Sequence, residues 1–248
     1  MPAEERIAAL RAEIAALAES ARGGVRECLP FGVEAIDRRL AGGGLAVNAL
    51  HEIAGAAPGL GDDAAATLFS ASVAARRAGQ EGTILWALSR RDLFAPGLAA
   101  AGLAPARILY AECRRDEEVL AVMEEGLRHG GLAAVVGEIG RATMTATRRL
   151  QLAAEEGGTM ALMLKRWRRS GEDPLALPSA AVTRWRLACA PSERLSVPGI
   201  ARARWRLELA RQRGGEPFEL FVEAPDEEAR LALAPGARDR TSPSRRAA

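Results

Sequence analysis

The sequence predicts an α/β protein built on a mostly parallel sheet, and three observations predict it. Between about residues 29 and 170, short apolar runs alternate with helix-length segments, the pattern of strands joined by right-handed crossovers. Glycine pairs and acidic first turns punctuate those segments where helices should end and begin. Beyond residue 170 the helical spacing gives way to period-2 alternation, which reads as antiparallel strands closing one edge of the sheet.

Taken in order, "AEERIAALRAEIAALAES" (3–20) places Ile7, Leu10, Ile14 and Leu17 at helical spacing, with Glu4, Arg6, Arg11 and Glu13 off that stripe. It is an amphipathic helix cut off by Gly23-Gly24, fit to pack on its own core or on a partner. Leu45–Ile53 is expected as one strand, residues 62–78 as a helix and "GTILWAL" (82–88) as a buried strand. Residues 92–102 are expected as a short helix, "ARILYAE" (106–112) as a strand and 116–129 as a helix opened by Asp116, Glu117 and Glu118, as its dipole prefers. "LAAVVGEIG" (132–140), a helix over 143–156 ended by Gly157-Gly158, and "TMALMLKRW" (159–167) follow. "VTRWRLACA" (182–190) sets Trp185, Leu187 and Cys189 against Arg184 and Arg186; "ARWRLELARQR" (203–213) sets Trp205, Leu207 and Leu209 against Arg204, Arg206 and Glu208. "FELFVEA" (218–224) is a further strand, and "PGARDRTSPSRRAA" (235–248) is a basic tail with no apolar content to bury. The division expected is an arm and linker (1–24), one α/β domain (25–232) and the tail (233–248).

Composition narrows the function. At 248 residues with 48% hydrophobic and 27% charged residues, the chain has the makeup of a globular protein with one good core. No apolar run approaches the roughly 20 residues of a membrane span, and the N-terminus opens with acids, so a cytoplasmic protein without membrane contact is expected. Cys28, Cys113 and Cys189 are odd in number and far apart, and read as buried thiols. His51 and His129 stand alone, without metal-ligand spacing. The 34 basic residues include a single lysine, Lys165.

That lysine count bears on "HEIAGAAPGLGDDAAATLFSA" (51–71), which has the outline of a phosphate-binding loop. Such a loop needs glycine N–H groups, a Lys for the terminal phosphates and a Ser or Thr for Mg²⁺. Gly55, Gly59 and Gly61 supply the turn, but the Lys and Ser/Thr positions fall on Asp62 and Asp63. A carboxylate 4 Å from a phosphate charge is unfavourable by roughly 4 kcal/mol at an effective dielectric of about 20, so no cofactor is expected here. The two carboxylates are expected to cap the following helix and offset its dipole; Mg²⁺ held by Asp62 and Asp63 is the alternative.

In the apolar strand 132–140, the position expected to carry a metal-holding acid falls on Gly137, with Glu138 one place on and therefore on the other face. No nucleophile elbow, His-dependent triad or carboxylate pair is legible, so no catalytic residue is assigned. Arginine is the remaining unusual feature. "KRWRR" (165–169) contains Arg166, Arg168 and Arg169, and residues 184–213 hold eight arginines against two glutamates. Arg184, Arg186, Arg204, Arg206, Arg211 and Arg213 would suit a nucleic-acid backbone or an acidic partner; a solvated, arginine-rich strand face is the alternative.

In order and spacing these pieces resemble the RecA core across about residues 29–170. "LPFGVEAIDRRLAGGGLAVNALHEIAG" (29–55) looks like the RecA lead-in to its phosphate loop, "GTILWALSRRDLFAPGLAAAGLAPARILYAE" like the next strand, helix and strand, and "GGLAAVVGEIG" like the acidic-strand region. The loop Lys and Ser/Thr are replaced, the strand acid is displaced, and the RecA catalytic glutamate falls near Leu88-Ser89. With the run from Trp205 to Gly215, the pattern is similar to the ImuA family of RecA-like accessory proteins. That resemblance implies a non-catalytic partner of an ImuB-type polymerase homologue and an error-prone replicative-type polymerase in translesion synthesis after DNA damage. It also implies contact with RecA, self-association through the arm and direct DNA contact as candidates. A divergent RecA/KaiC-type ATPase and a SulA-like division inhibitor are the rival readings.

Overall fold

The computed structural model describes residues 27–167, 172–193, 199 and 201–234. The expected arm with Ile7, Leu10, Ile14 and Leu17, residues 235–248 of the expected tail, and Arg168 and Arg169 lie outside the described residues, whereas Leu233, expected to open the tail, is part of the last strand.

In chain order, β1 (Cys28–Leu29), α1 (Glu34–Asp37) and β2 (Leu45–Ala46) lead into β3 (Leu50–Gly55) and α2 (Leu60–Ala78). The alternating half continues with β4 (Ile84–Leu88), α3 (Ala95–Ala100), β5 (Ile108–Glu112), α4 (Asp116–His129), β6 (Ala134–Ile139), α5 (Met144–Gly157) and β7 (Met160–Lys165). β8 (Thr183–Ala190), β9 (Arg204–Gln212), β10 (Phe218–Glu223) and β11 (Ala232–Leu233) follow. The main sheet has nine strands among the described residues, in the order β11-β10-β9-β8-β3-β7-β6-β4-β5. From β8 to β5 neighbours are parallel; β9, β10 and β11 are antiparallel to theirs.

The expected α/β class and antiparallel edge are both present, with two corrections of detail. β8 is antiparallel only to β9 and runs parallel to β3, because the chain returns from Lys165 to Thr183 by a crossover and not a hairpin. The single strand expected over residues 45–53 is two: β2 pairs with β1, a turn at Val47 and Asn48 intervenes, and β3 joins the main sheet.

Both sheet faces are covered, which is why the central strands read as unbroken apolar runs. On one face α2 packs with Ile53, Trp86, Val136, Leu162 and Trp185; on the other α4 and α5 pack with Leu50, Val135, Ile139 and Met163. The lead-in is shaped by Asp37, whose carboxylate accepts the N–H groups of Phe31 (2.6 Å) and Gly32 (2.9 Å). That turn delivers Phe31 to an aromatic cluster with Phe69, Trp185 and Phe218, at centroid separations of 5.7–5.9 Å. The cluster joins lead-in, α2, β8 and β10. The thiols are less covered than expected: Cys28 and Cys113 are half-buried and Cys189 is exposed, because β8 runs past its last pairing with β3 at Leu187.

A hydrogen-bond chain crosses the same region. Trp185 Nε1 donates to Thr183 Oγ1 (2.8 Å), and Thr183 Oγ1 lies 2.7 Å from His51 Nδ1. His51 Nε2 is 2.9 Å from the Ala46 carbonyl. A carbonyl only accepts, so Nε2 carries the proton and Nδ1 accepts from the threonine hydroxyl. The neutral imidazole suits this chain, and burial pushes its pKa down from 6.5 to about 4.

As pH falls below 6.5 the unfolded chain therefore takes up a proton that the folded chain refuses. Stability present at pH 7 should be lost progressively through that window, by about 3 kcal/mol in total. Urea denaturation from pH 7 to 4 should show the loss, and His51→Gln should flatten the slope. Trp185→Ala should cost about 3–5 kcal/mol by the same measurement, through the cavity it opens among three aromatic rings.

Candidate functional site

The site is the loop from Gly55 to Asp63, between the end of β3 and the first turn of α2. It folds back tightly: a Cβ on Gly55 would lie 3.0 Å from the Asp62 carbonyl carbon, so glycine permits the close approach. The loop is fastened to its surroundings on two sides. Ala56 N–H donates to the Leu187 carbonyl (2.8 Å), and Trp167 Nε1 donates to the Gly55 carbonyl (2.8 Å).

The expected helix cap is corrected here. Gly59 is the residue preceding α2 and no side chain caps the helix. Asp62 turns away from it: Oδ2 accepts Ala57 N–H (3.1 Å) and Oδ1 accepts Cys189 N–H on β8 (2.7 Å). One amide of the loop, at Ala57, and one of β8 thus close on the protein's own carboxylate. Asp62 remains near the positive end of the α2 dipole, but its work is to tie the loop to β8. Asp63 Oδ1 is shielded from water and has no hydrogen-bond partner. Burial is the main cause that pushes the Asp63 carboxyl pKa up, against the pull of Arg166 and Arg90.

The strand acid is corrected as well. Gly137 faces α4, where a Cβ would lie 2.1 Å from Met123 Sδ. Glu138 points to the α2 face instead, the side on which the phosphate loop lies. It is 4% exposed and both oxygens are taken: Oε1 accepts Trp86 Nε1 (2.8 Å), and Oε2 accepts Arg166 Nε (2.9 Å) and pairs with its terminal nitrogen (2.8 Å). Arg166 also reaches the Asp63 carbonyl (3.3 Å). An acid and an internal guanidinium are therefore locked together beneath the loop. The signal for this cluster was Trp86, since a tryptophan inside a buried strand must find an acceptor for its indole N–H.

Lys165 cannot serve the loop. It is 2% exposed and, by strand alternation with Met163, belongs to the face covered by α4 and α5. Burial lowers its pKa and the nearby Glu52 carboxylate raises it. No group of three or more His, Cys, Asp or Glu side chains able to hold a metal occurs among the described residues. Leu88, in the region of the absent glutamate, is buried at 4% exposure.

The arginines divide into two sets. Arg166 pairs with Glu138, Arg184 with Glu52 (2.6 Å) and Arg186 with Asp173 (2.6 and 3.0 Å). The first is an internal ion pair on the α2 face of the sheet; the other two lie on the opposite face, the last reaching its covering loop. On β9 and just beyond it, Arg206 pairs with Glu219 (2.9 Å), Arg211 donates to the Ser179 carbonyl (3.0 Å) and Arg213 to the Ala180 carbonyl (3.3 Å). Arg211 and Arg213 are exposed, and Arg204 and Arg206 half-buried. Between them Gln212 is buried, accepting Ala41 N–H and donating to the Arg39 and Glu216 carbonyls. The Trp205-to-Gly215 run is thus in large part a packing and turn motif.

These features define an α/β protein with a large, mostly parallel sheet, whose loop after β3 is tied to β8 through the Asp62 side chain. The chain is 37% identical over 204 residues to Protein ImuA of Caulobacter vibrioides, in strain NA1000 / CB15N and equally in strain ATCC 19089 / CIP 103742 / CB 15. The match covers 79% of this chain and 83% of that protein. The chain belongs to the ImuA family. No protein-family model matches it. SulA from Pseudomonas aeruginosa superposes on 48% of this chain and 98% of its own, with 22% identity and a TM-score of 0.40, too loose a likeness to bear on function.

Glu138→Gln should cost about 3–5 kcal/mol in urea denaturation, because it leaves Arg166 buried beside a neutral amide. The double variant Glu138→Gln with Arg166→Met should recover most of that loss.

Proposed function

We propose that this chain is a non-catalytic accessory protein of damage-induced mutagenesis, a RecA-like scaffold whose work is done by surfaces and not by a nucleotide. The observation that carries the reading is Asp62, whose carboxylate takes one amide of the loop, at Ala57, and one of β8, at Cys189. Glu138 and Lys165 support it, one engaged by Arg166 and the other buried on the opposite face. By the family resemblance, the partners are an ImuB-type polymerase homologue and an error-prone replicative-type polymerase in the cytoplasm, with RecA a further candidate. Self-association is assigned to the arm (1–24), the scaffold to residues 25–232. Direct DNA contact falls to Arg206, Arg211 and Arg213, whose partners are the exposed Glu219 carboxylate and two backbone carbonyls, together with Arg204.

Titration calorimetry with Mg-ATP should show no saturable binding. Saturable binding abolished by Asp62→Ala or Asp63→Ala would favour the divergent ATPase. Capture on the tagged chain from DNA-damaged cells, read by mass spectrometry, should recover the two polymerase-type partners; recovery of the tubulin-like division protein in their place would favour a division inhibitor. Arg204→Glu with Arg206→Glu should weaken partner or DNA binding while the circular dichroism spectrum is unchanged.

A further inference from the structure

The nine-stranded sheet ends in two unlike edges among the described residues. At one, β11 has two residues, Ala232–Leu233, the kind of short strand that blunts an edge. At the other, β5 runs for five residues, Ile108–Glu112, with β4 on one side and no strand on the other. Its apolar side chains stand open on both faces: Leu109 is 55% and Tyr110 46% exposed. Leu109 belongs to the face on which Leu85, Ala111 and Val122 are only partly covered; Tyr110 lies on the α2 face, in register with Trp86. Such edges are ordinarily guarded by a lysine, a proline, a bulge or a covering segment. Residues 108–112 contain no lysine and no proline, and their register with β4 is unbroken. The one charge, Glu112, is paired with Arg91 of the same chain.

The backbone defines what completes this edge. Cys113 N–H donates to the Leu88 carbonyl (2.8 Å), so the odd-numbered residues of β5 turn their peptide groups toward β4, and Ile108, Tyr110 and Glu112 turn theirs outward. Ile108 N–H is taken by the Pro105 carbonyl. The outward row that remains is the N–H of Tyr110 and Glu112 and the carbonyls of Ile108, Tyr110 and Glu112. A row that repeats at every second residue is matched by another strand.

That row is complementary to itself. Turned antiparallel about Tyr110, a second β5 sets Tyr110 against Tyr110 and Ile108 against Glu112, pairs in which both members direct their groups across the junction. Tyr110 N–H then meets the Tyr110 carbonyl of the second copy, twice over by symmetry, and each Glu112 N–H meets an Ile108 carbonyl. On the α4 face the same register lays Leu109 across from Ala111, a large side chain against a small one. A head-to-tail array through the sheet would have to pair β5 with the two residues of β11, so the self-complementary pairing closes as a two-fold dimer.

We propose that β5 is a self-association edge, at which two copies of this chain pair Ile108–Glu112 antiparallel about Tyr110 and continue the sheet across the two-fold axis. The proposal goes beyond the accessory reading and does not depend on the arm. Two five-residue strands make a small contact, so the dimer is expected to be weak and concentration-dependent.

Sedimentation velocity of the full chain from low to high micromolar concentration should show a reversible monomer–dimer equilibrium. Tyr110→Pro removes an outward N–H without breaking a bond to β4, as an edge strand tolerates; Leu109→Lys supplies the residue with which natural edges are guarded. Both should keep the circular dichroism spectrum and abolish the dimer. Register is tested by oxidation: an equal mixture of Leu109→Cys and Ala111→Cys chains should cross-link well above either variant alone or the unsubstituted chain. Positions 109 and 111 would form a non-hydrogen-bonded pair with Cα atoms about 4.5 Å apart, within disulfide range. A chain that is monomeric throughout, or cross-linking no greater in the mixture than in either variant alone, would overturn the proposal. So would a dimer that survives both Tyr110→Pro and Leu109→Lys, which would assign self-association to the arm.

Discussion

The contact between Glu138 and Arg166 constrains what this sheet can do at its loop end. A carboxylate and a guanidinium withdrawn from water are tolerable only when the remaining lone pairs and protons are also satisfied. Trp86 supplies the second donor to Glu138, and the Asp63 carbonyl accepts from Arg166. Three strands and the first turn of α2 are thereby held around one fully used acid. The space at the end of these strands is occupied by the protein's own guanidinium and carboxylate.

Asp62 extends that closure to the other half of the molecule. By accepting amides from both the loop and β8, it joins the parallel half to the first strand of the edge that continues through β9 and β10. The aromatic cluster around Trp185 makes the same junction through apolar area, from lead-in and α2 to β8 and β10. The loop is held by hydrogen bonds at Gly55, Ala56 and Ala57, and Asp62 ties it to β8 at Cys189.

Much of the architecture was legible, for a reason that differs by element. The helix over 116–129 shows in its acidic first turn and closing Gly130, and the structure has it at Asp116–His129. The alternation of Trp205, Leu207 and Leu209 with charged residues shows in β9, where those three are buried. The break between β2 and β3 was not legible, because Leu45 to Ile53 is apolar throughout most of its length and period alone does not mark a turn. The face of Glu138 was misassigned for a related reason. Alternation says that Gly137 and Glu138 oppose each other, but only Met123 packed on Gly137 says which of them looks at α2.

By itself the sequence determined that the loop has no lysine to offer a phosphate. One lysine in the chain, about a hundred residues away and followed by Arg166, is a fact of composition and no fold can change it. It also determined the α/β order, since apolar spacing sets which segments can bury a face. Only the tertiary structure decided where the charges went. Asp62 reaches Cys189 and Arg166 reaches Glu138 across 127 and 28 residues, and pairings at such separations are set by strand order and register. The open edge at Leu109 and Tyr110 belongs to that second kind, because only strand order says which strand ends the sheet.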